Sequence, residues 1–199
     1  MEIRQSLINV AYKLFLKYGV KSVSMDDIAG KMGVSKKTIY CVISNKDDLI
    51  DTVVEKHILD EREKIESIIQ SSENAIDEMV QITKYGSEFM QNMAPTLIMD
   101  LQKYHQKTWG KIRYDHLEYL ERIISSNVSR GQHEGLYRKN LNVAAVSQFY
   151  VVLLLQLILS DDIKSNQYDK AVNFQEIVNY HINSIVTDDG RNYFNTLNF

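Results

Sequence analysis

The chain has 199 residues, 44% hydrophobic and 25% charged, with a formal net charge of −3. That is enough to bury a core, as one medium domain or a small one plus a larger one, and it excludes a disordered chain. Cys41 is the only cysteine, so an intrachain disulfide is excluded; with no signal-peptide pattern in M-E-I-R-Q-S-L and no apolar run near the ~18–20 residues of a membrane span, a cytoplasmic protein is expected.

One proline and eight glycines among long stretches of helix formers predict an all-α chain. Residues 3–18 form a first amphipathic helix, with Leu7, Val10, Ala11, Leu14, Phe15 and Tyr18 at helical spacing and Gly19 ending it. Residues 24–46, S-M-D-D-I-A-G-K-M-G-V-S-K-K-T-I-Y-C-V-I-S-N-K, read as two short helices joined by a tight turn. Ser24 caps the first, with Asp26 and Asp27 in its first turn, where the helix dipole favours carboxylates. Ile28, Ala29 and Met32 make its apolar stripe, Gly33 supplies a left-handed stop and Val34 plugs the turn. Ser35 caps the second, which opens with Lys36, Lys37 and Thr38 and carries Ile39 and Ile43 on one face. A short helix with a basic, hydroxyl-bearing N-terminal half, propped by another helix, is what a major-groove reader needs.

Charge supports that reading. Residues 1–46 hold eight Lys/Arg against three Asp/Glu, and residues 47–199 hold 15 against 23, so a basic head precedes an acidic body. Candidate DNA contacts are Ser24, Ser35, Lys36, Lys37, Thr38, Tyr40 and Lys46: lysines release counterions at phosphates, hydroxyls orient on phosphate oxygens, and Lys36, Lys37 and Thr38 can reach base edges.

A fourth helix starts after Asn45 and runs to about residue 70 on Ile50, Val54, Ile58, Ile65 and Ile69. Further helices are expected near 75–93, 95–107, 109–130, 142–160 and 169–187, with Pro95 in the first turn of its helix. The 142–160 helix is apolar nearly all round, so it is either wholly internal or covered by a second subunit. Residues 188–199 lie past the last helix and are expected to fray. The five histidines show no H-E-x-x-H and no cysteine pair, and no G-x-S-x-G, G-x-G-x-x-G or P-loop appears; no catalytic residue, metal or cofactor is expected.

Phe15, Gly19, Ser24, Ile28, Ala29, Gly33, Val34, Ser35, Ile39, Tyr40, Asn45, Lys46 and Leu49 together resemble the N-terminal domain of TetR/AcrR-type transcriptional regulators. The family usually continues after Tyr40 with an aromatic or polar residue, then His or Tyr, then Phe; here Cys41, Val42 and Ile43 stand instead. The resemblance implies a three-helix helix-turn-helix head (residues 1–48), joined by a long helix to a helical ligand-binding and dimerisation body (49–187), with a C-terminal tail (188–199). It also implies an effector held between the helices corresponding to 75–130. Met and aromatic residues at helical spacing are more often plain core. With the resemblance they suggest a pocket of Tyr85, Phe89, Met93, Tyr104 and Trp109, with His105, Arg113 and His116 as polar handles. The last two helices would form a dimeric four-helix bundle through Phe149, Tyr150, Leu153, Leu154, Leu157, Ile177, His181 and Ile185. The expected protein is a ligand-responsive regulator, a repressor, binding double-stranded palindromic operator DNA as a homodimer, with an unknown small, partly apolar effector. The alternative is a dimeric helical ligand- or protein-binding module whose head no longer binds DNA.

Overall fold

A computed structural model describes residues 2–159 and 170–197. Among the described residues the secondary structure is eleven α-helices and one π-helical turn, with a single isolated bridge between Tyr137 and Val186. The fold is all-α. Expected helix ends at 160 and 169, and Phe199, lie outside the described residues. Two compact units result, one of residues 1–63 with 92–113, the other of 64–91 with 114–199.

The first unit holds α1 (Glu2–Tyr18), α2 (Met25–Met32), α3 (Lys36–Tyr40), the N-terminal part of α4 (Lys46–Ser71), α6 (Leu97–Tyr104) and α7 (Gln106–Lys111). The apolar stripes meet as their spacing predicts: Leu7, Ala11 and Phe15 of α1, Ile28 and Ala29 of α2, Ile39 of α3, and Leu49, Ile50 and Val53 of α4 are all buried. Gly19 ends α1 at φ 80°, and a Cβ there would meet Thr96 Oγ1 at 2.6 Å. Only glycine satisfies both the backbone and the approach. Next to it, the buried carboxylate of Asp100 accepts the Lys21 backbone N–H at 2.9 Å, and the Ala94 N–H donates to the Leu16 carbonyl at 2.6 Å.

Three acids of α4 spaced four apart, Asp47, Asp51 and Glu55, lie on one helix face and clasp the 105–111 stretch. His105 Nδ1 is 3.2 Å from Asp47, Lys107 Nζ is 2.9 Å from Asp51, the Thr108 hydroxyl donates to Asp51, and Lys111 pairs with Glu55. Segment 92–113, expected in the body, is therefore part of the unit that contains the helix-turn-helix. Pro95 sits in the turn before α6, one step earlier than expected. His105, with φ −134° and ψ 56°, breaks the expected 95–107 helix into α6 and α7.

The second unit holds α5 (Ala75–Asn92, up to residue 91), α8 (Leu117–His133), α9 (Val143–Leu159), α10 (Lys170–Ile185) and α11 (Asp188–Thr196). The π-helical turn, Ile112–His116, contains the boundary between the units. A buried polar network ties α5 to α8. The Glu78 side chain, 3% exposed, accepts from Arg130 at 2.8 Å and from Asn127 Nδ2 at 2.9 Å. Arg130 also donates to Glu134 at 2.7 Å and to the Ser72 carbonyl at 3.1 Å. The fully buried Tyr137 hydroxyl lies 3.2 Å from both Asn127 Oδ1 and the Ala75 carbonyl, with its ring packed where a side chain on Gly131 would stand.

Residues 188–196, expected to fray, form α11. Thr187, extended at ψ 177°, caps it by accepting the Gly190 N–H at 3.1 Å, and its hydroxyl donates to the Gly135 carbonyl at 2.9 Å. Asp188 and Asp189 occupy the first turn. Gly190 packs against the Leu136 carbonyl, Phe194 is buried, and the Tyr193 hydroxyl lies 3.4 Å from Glu73.

Arg130→Met is expected to destabilise the protein by about 3 kcal/mol, because it strands the Glu78 charge away from water. Adding Glu78→Gln should restore much of that loss; urea unfolding followed by circular dichroism measures both. A second expectation concerns acid. Burial pushes the His181 imidazole down from 6.5 to about 4, so between those values the unfolded chain takes up the proton first. The stability is present above the unfolded value and is lost as pH falls towards the folded one. His181→Phe keeps a ring on Tyr150 and should shrink the stability difference between about pH 7 and about pH 5 by roughly 2 kcal/mol.

Candidate nucleic-acid interface

The α2–turn–α3 segment is built by its caps. Ser24 accepts the Asp27 N–H at 3.2 Å, and the Asp27 carboxylate accepts the Ser24 N–H at 2.7 Å, a reciprocal capping box. These bonds hold the Asp27 carboxyl below the usual range. Gly33 turns the chain at φ 68°, and the Val34 N–H returns to the Ala29 carbonyl at 3.1 Å, closing α2 with the left-handed residue that its sequence position calls for. Ser35 caps α3 through the Thr38 N–H at 3.1 Å. Helix α3 proper spans Lys36–Tyr40. One further turn follows, with the Ile43 N–H on the Ile39 carbonyl at 3.2 Å. Ile39 and Ile43 are buried, which fixes the opposite edge outward.

That outer edge carries Ser35, Lys36, Lys37, Tyr40 and Cys41, all exposed, with Thr38 half-buried. The candidates are not equivalent. The Lys37 ammonium has no partner among the described residues, and the Tyr40 ring is 48% exposed. Lys36 pairs with Asp26 at 3.0 Å, and that bond holds its ammonium pKa above the usual range. The Ser35 and Thr38 hydroxyls lie 2.8 Å apart. The Ser24 hydroxyl donates to Asp27 at 2.6 Å, so it is engaged inside the capping box. Lys46 is half-buried and donates to the Val20 carbonyl at 2.7 Å; burial, its largest influence, pulls its pKa down. Its site is structural: it ties the start of α4 to the chain after α1. Cys41 Sγ lies 3.2 Å from the Lys37 carbonyl. Chemically, the edge offers one cation free among the described residues, one adjacent cation held by a carboxylate, and hydroxyls able to donate to phosphate or base oxygens.

The residues expected around an effector divide between the units. Tyr85, Phe89 and His116 belong to the second, and Met93, Tyr104, His105, Trp109 and Arg113 to the first. Tyr104 is exposed, with Lys21 Nζ 3.2 Å from its hydroxyl, and His105 faces Asp47. These two engage partners within the first unit. His116 stacks near Tyr119 with ring centroids 6.5 Å apart.

The residues expected at a dimer face divide differently. Phe149 and Leu153 are exposed at 67% and 42%, joined by Val152 on α9 and by Val172 and Tyr180 on α10. Leu154 and Ile177 are half-buried. Tyr150, Leu157, His181 and Ile185 are buried within the chain itself, where the Tyr150 and His181 rings stack at 4.3 Å. Helix α9 thus has two apolar faces, and its composition alone does not distinguish them.

Sequence reasoning missed the Asp26 partner of Lys36, the carbonyl held by Lys46 and the α4–α7 clasp. The i, i+4, i+8 spacing of Asp47, Asp51 and Glu55 was a legible stripe of charge, but nothing in it named the partner segment.

Residues 7–53 match the family of bacterial regulatory proteins described as the tetR family. An uncharacterized HTH-type transcriptional regulator of Bacillus subtilis (strain 168), YvaF, is 34% identical over 90 residues, 44% of this chain and 47% of that protein. The HTH-type transcriptional regulator SAB2452 of Staphylococcus aureus (strain bovine RF122 / ET3-1) is 34% identical over 58 residues, 29% of this chain and 31% of that protein. The chain thus spans about half the length, or less, of these curated relatives. Among solved structures, a transcriptional regulator from Cytophaga hutchinsonii ATCC 33406 superposes with a TM-score of 0.71 at 22% identity, covering 92% of this chain and 98% of that one. A TetR-family regulator from Agrobacterium tumefaciens gives 0.74 at 15% identity, covering 92% and 97%. A regulator from Saccharomonospora viridis, solved in complex with choline, gives 0.70 at 17% identity, covering 94% and 98%. Residues 7–53 thus carry the N-terminal domain of the tetR family of bacterial regulatory proteins, and the fold is the one these solved regulators share.

Proposed function

We propose that this chain is a ligand-responsive transcriptional repressor, acting in the cytoplasm, that binds a palindromic operator as a homodimer. It is a regulator and not an enzyme. The observation that carries the DNA reading is the α3 edge: Lys37 unpartnered and Tyr40 exposed, on a helix locked by buried Ile39 and Ile43. Lys37 is the leading contact; Thr38 and Tyr40 add hydroxyls for phosphate or a base edge, and Ser35 acts with Thr38. Lys36 contributes after leaving Asp26, which moderates its pull on DNA. Ser24 and Lys46 serve the interface by shaping it.

The homodimer reading is supported by the apolar stripe of Phe149, Val152 and Leu153 on α9, with Tyr180 on α10. Exposed apolar surface of this extent on neighbouring helices calls for a partner, and a two-fold dimer matches a palindromic site. An effector in the body would release DNA by binding one conformation of the dimer more tightly than the other, by about 1–3 kcal/mol. That the Saccharomonospora viridis relative takes up choline supports a ligand in this fold without naming one for this chain. No helix among the described residues is long and apolar enough to cross a membrane.

Selection of sites from random DNA should return a palindrome whose affinity falls steeply with salt. A salt-insensitive affinity, or a dimer with no sequence preference, refutes the operator reading and favours a head that binds protein. Lys37→Ala should weaken binding and, if the contact is to phosphate, lower the salt slope by about one. Phe149→Glu combined with Leu153→Glu should yield monomers by light scattering while leaving the helical content unchanged; a persistent dimer refutes this face.

A further inference from the structure

Ser147 Oγ and His181 Nε2 in the second unit are buried and, like Ser87 Oγ on α5, have no hydrogen-bond partner among the described residues. Ser147 is fully buried and His181 is 5% exposed. Both residues lie beside Tyr150. Ser147 lies one turn before Tyr150 on α9, and side chains three apart share a helix face with Cβ atoms about 5–6 Å apart. The Tyr150 ring stacks on the His181 imidazole with centroids 4.3 Å apart and planes at 29°. Tyr150 thus stands next to both residues, by ring stacking with His181 and by helical spacing from Ser147. The residues on the same helix faces are apolar and buried: Val151 on α9, and Val178 and Ile185 on α10.

A plain core has no use for such a pair. Alanine at 147 and a hydrocarbon ring at 181 would fill the same positions without an unsatisfied donor or acceptor. A hydroxyl and an imidazole nitrogen can each donate or accept, so together they suit an oxygen of either kind. The buried Glu78 carboxylate is not available to them, since Arg130 and Asn127 take it. A charged group brought here would be desolvated with nothing to offset it.

We propose that Ser147 and His181 form the polar end of an internal site for an uncharged, largely apolar ligand carrying a hydroxyl or carbonyl oxygen. This rests on the ligand-responsive reading above and specifies the class of effector. The ligand's oxygen bonds Ser147 Oγ and His181 Nε2, and its hydrocarbon part packs among the α9 and α10 side chains. The burial that keeps His181 neutral near pH 7 agrees with an uncharged guest.

The test uses the full chain with 1-octanol as probe and octanoate as its charged counterpart, by calorimetry and thermal unfolding near neutral pH. Octanol should bind and raise Tm, and octanoate should not. Ser147→Ala and His181→Phe should each raise the Tm of the ligand-free protein, because an unsatisfied group is removed, and weaken octanol about tenfold or more, the loss of one buried hydrogen bond. A wild type that ignores octanol or takes octanoate equally well overturns the proposal. So do variants that gain stability but bind octanol unchanged, which would leave the two atoms to an internal water. Operator affinity separates the two readings. Octanol that binds without changing operator affinity refutes ligand response and leaves the site standing. An effector found by screening for operator release, acting equally on both variants, overturns the site and leaves ligand response standing.

Discussion

A carboxylate taken almost wholly out of water sets the terms for the second unit. Glu78 stands on α5 where an apolar residue would fit the local pattern, and its charge must be answered on the spot. Arg130 and Asn127 on α8 answer it, and with them α8 is fixed in both rotation and height against α5. Asn127 and the Ala75 carbonyl then position Tyr137. The close approach of Tyr137 to Gly131 sets the loop after α8, and that loop supplies the Leu136 carbonyl on which Gly190 of α11 rests. A single buried ion pair thus propagates its geometry through four successive elements.

The first unit relies on a different economy. Its core is apolar and local, made by α1, α2, α3 and the start of α4, and its polar bonds are mostly partly exposed. The clasp of Asp47, Asp51 and Glu55 with the 105–111 segment is of that kind. Exposed ion pairs each contribute little, so the anchoring of α6 and α7 depends equally on Gly19, Asp100 and the Ala94–Leu16 backbone bond. Several weak ties, each specific in geometry, hold the segment in register without demanding a large buried area.

The parts legible in the sequence are those whose signals are local. Ser24 with Asp27, Gly33 with Val34, Ser35 with Thr38, and Gly19 each act within a few residues, and each appears in the structure in the role its spacing implied. What escaped depends on residues far apart in the chain. Lys46 looks like any basic residue near a reading helix until the fold brings it to the Val20 carbonyl. Helix α9 is apolar on every side, so no periodicity separates Tyr150, which is inside, from Phe149, which is outside. The end of the chain misled for another reason. Asp-Asp-Gly after residue 187 reads as a terminus, yet Gly190 is where the Leu136 carbonyl comes close, and Thr187 supplies the cap.

The head of this protein is not a contiguous stretch of sequence. Segment 92–113 belongs with residues 1–63, through glycine contacts and ion pairs that a cut at residue 48 or 53 would sever. Such an arrangement constrains how chains of this kind diversify. Exchange of the first fifty residues between relatives, by recombination or by deliberate grafting, would bring in a new reading helix without the counterparts of Asp100, His105 and Lys107 that its own α1 and α4 fit. A successful chimaera has to carry both pieces, or repair the complementarity at residues 47, 51 and 55. The helix-turn-helix and the segment that clasps its unit therefore depend on each other structurally, although they are separated along the chain.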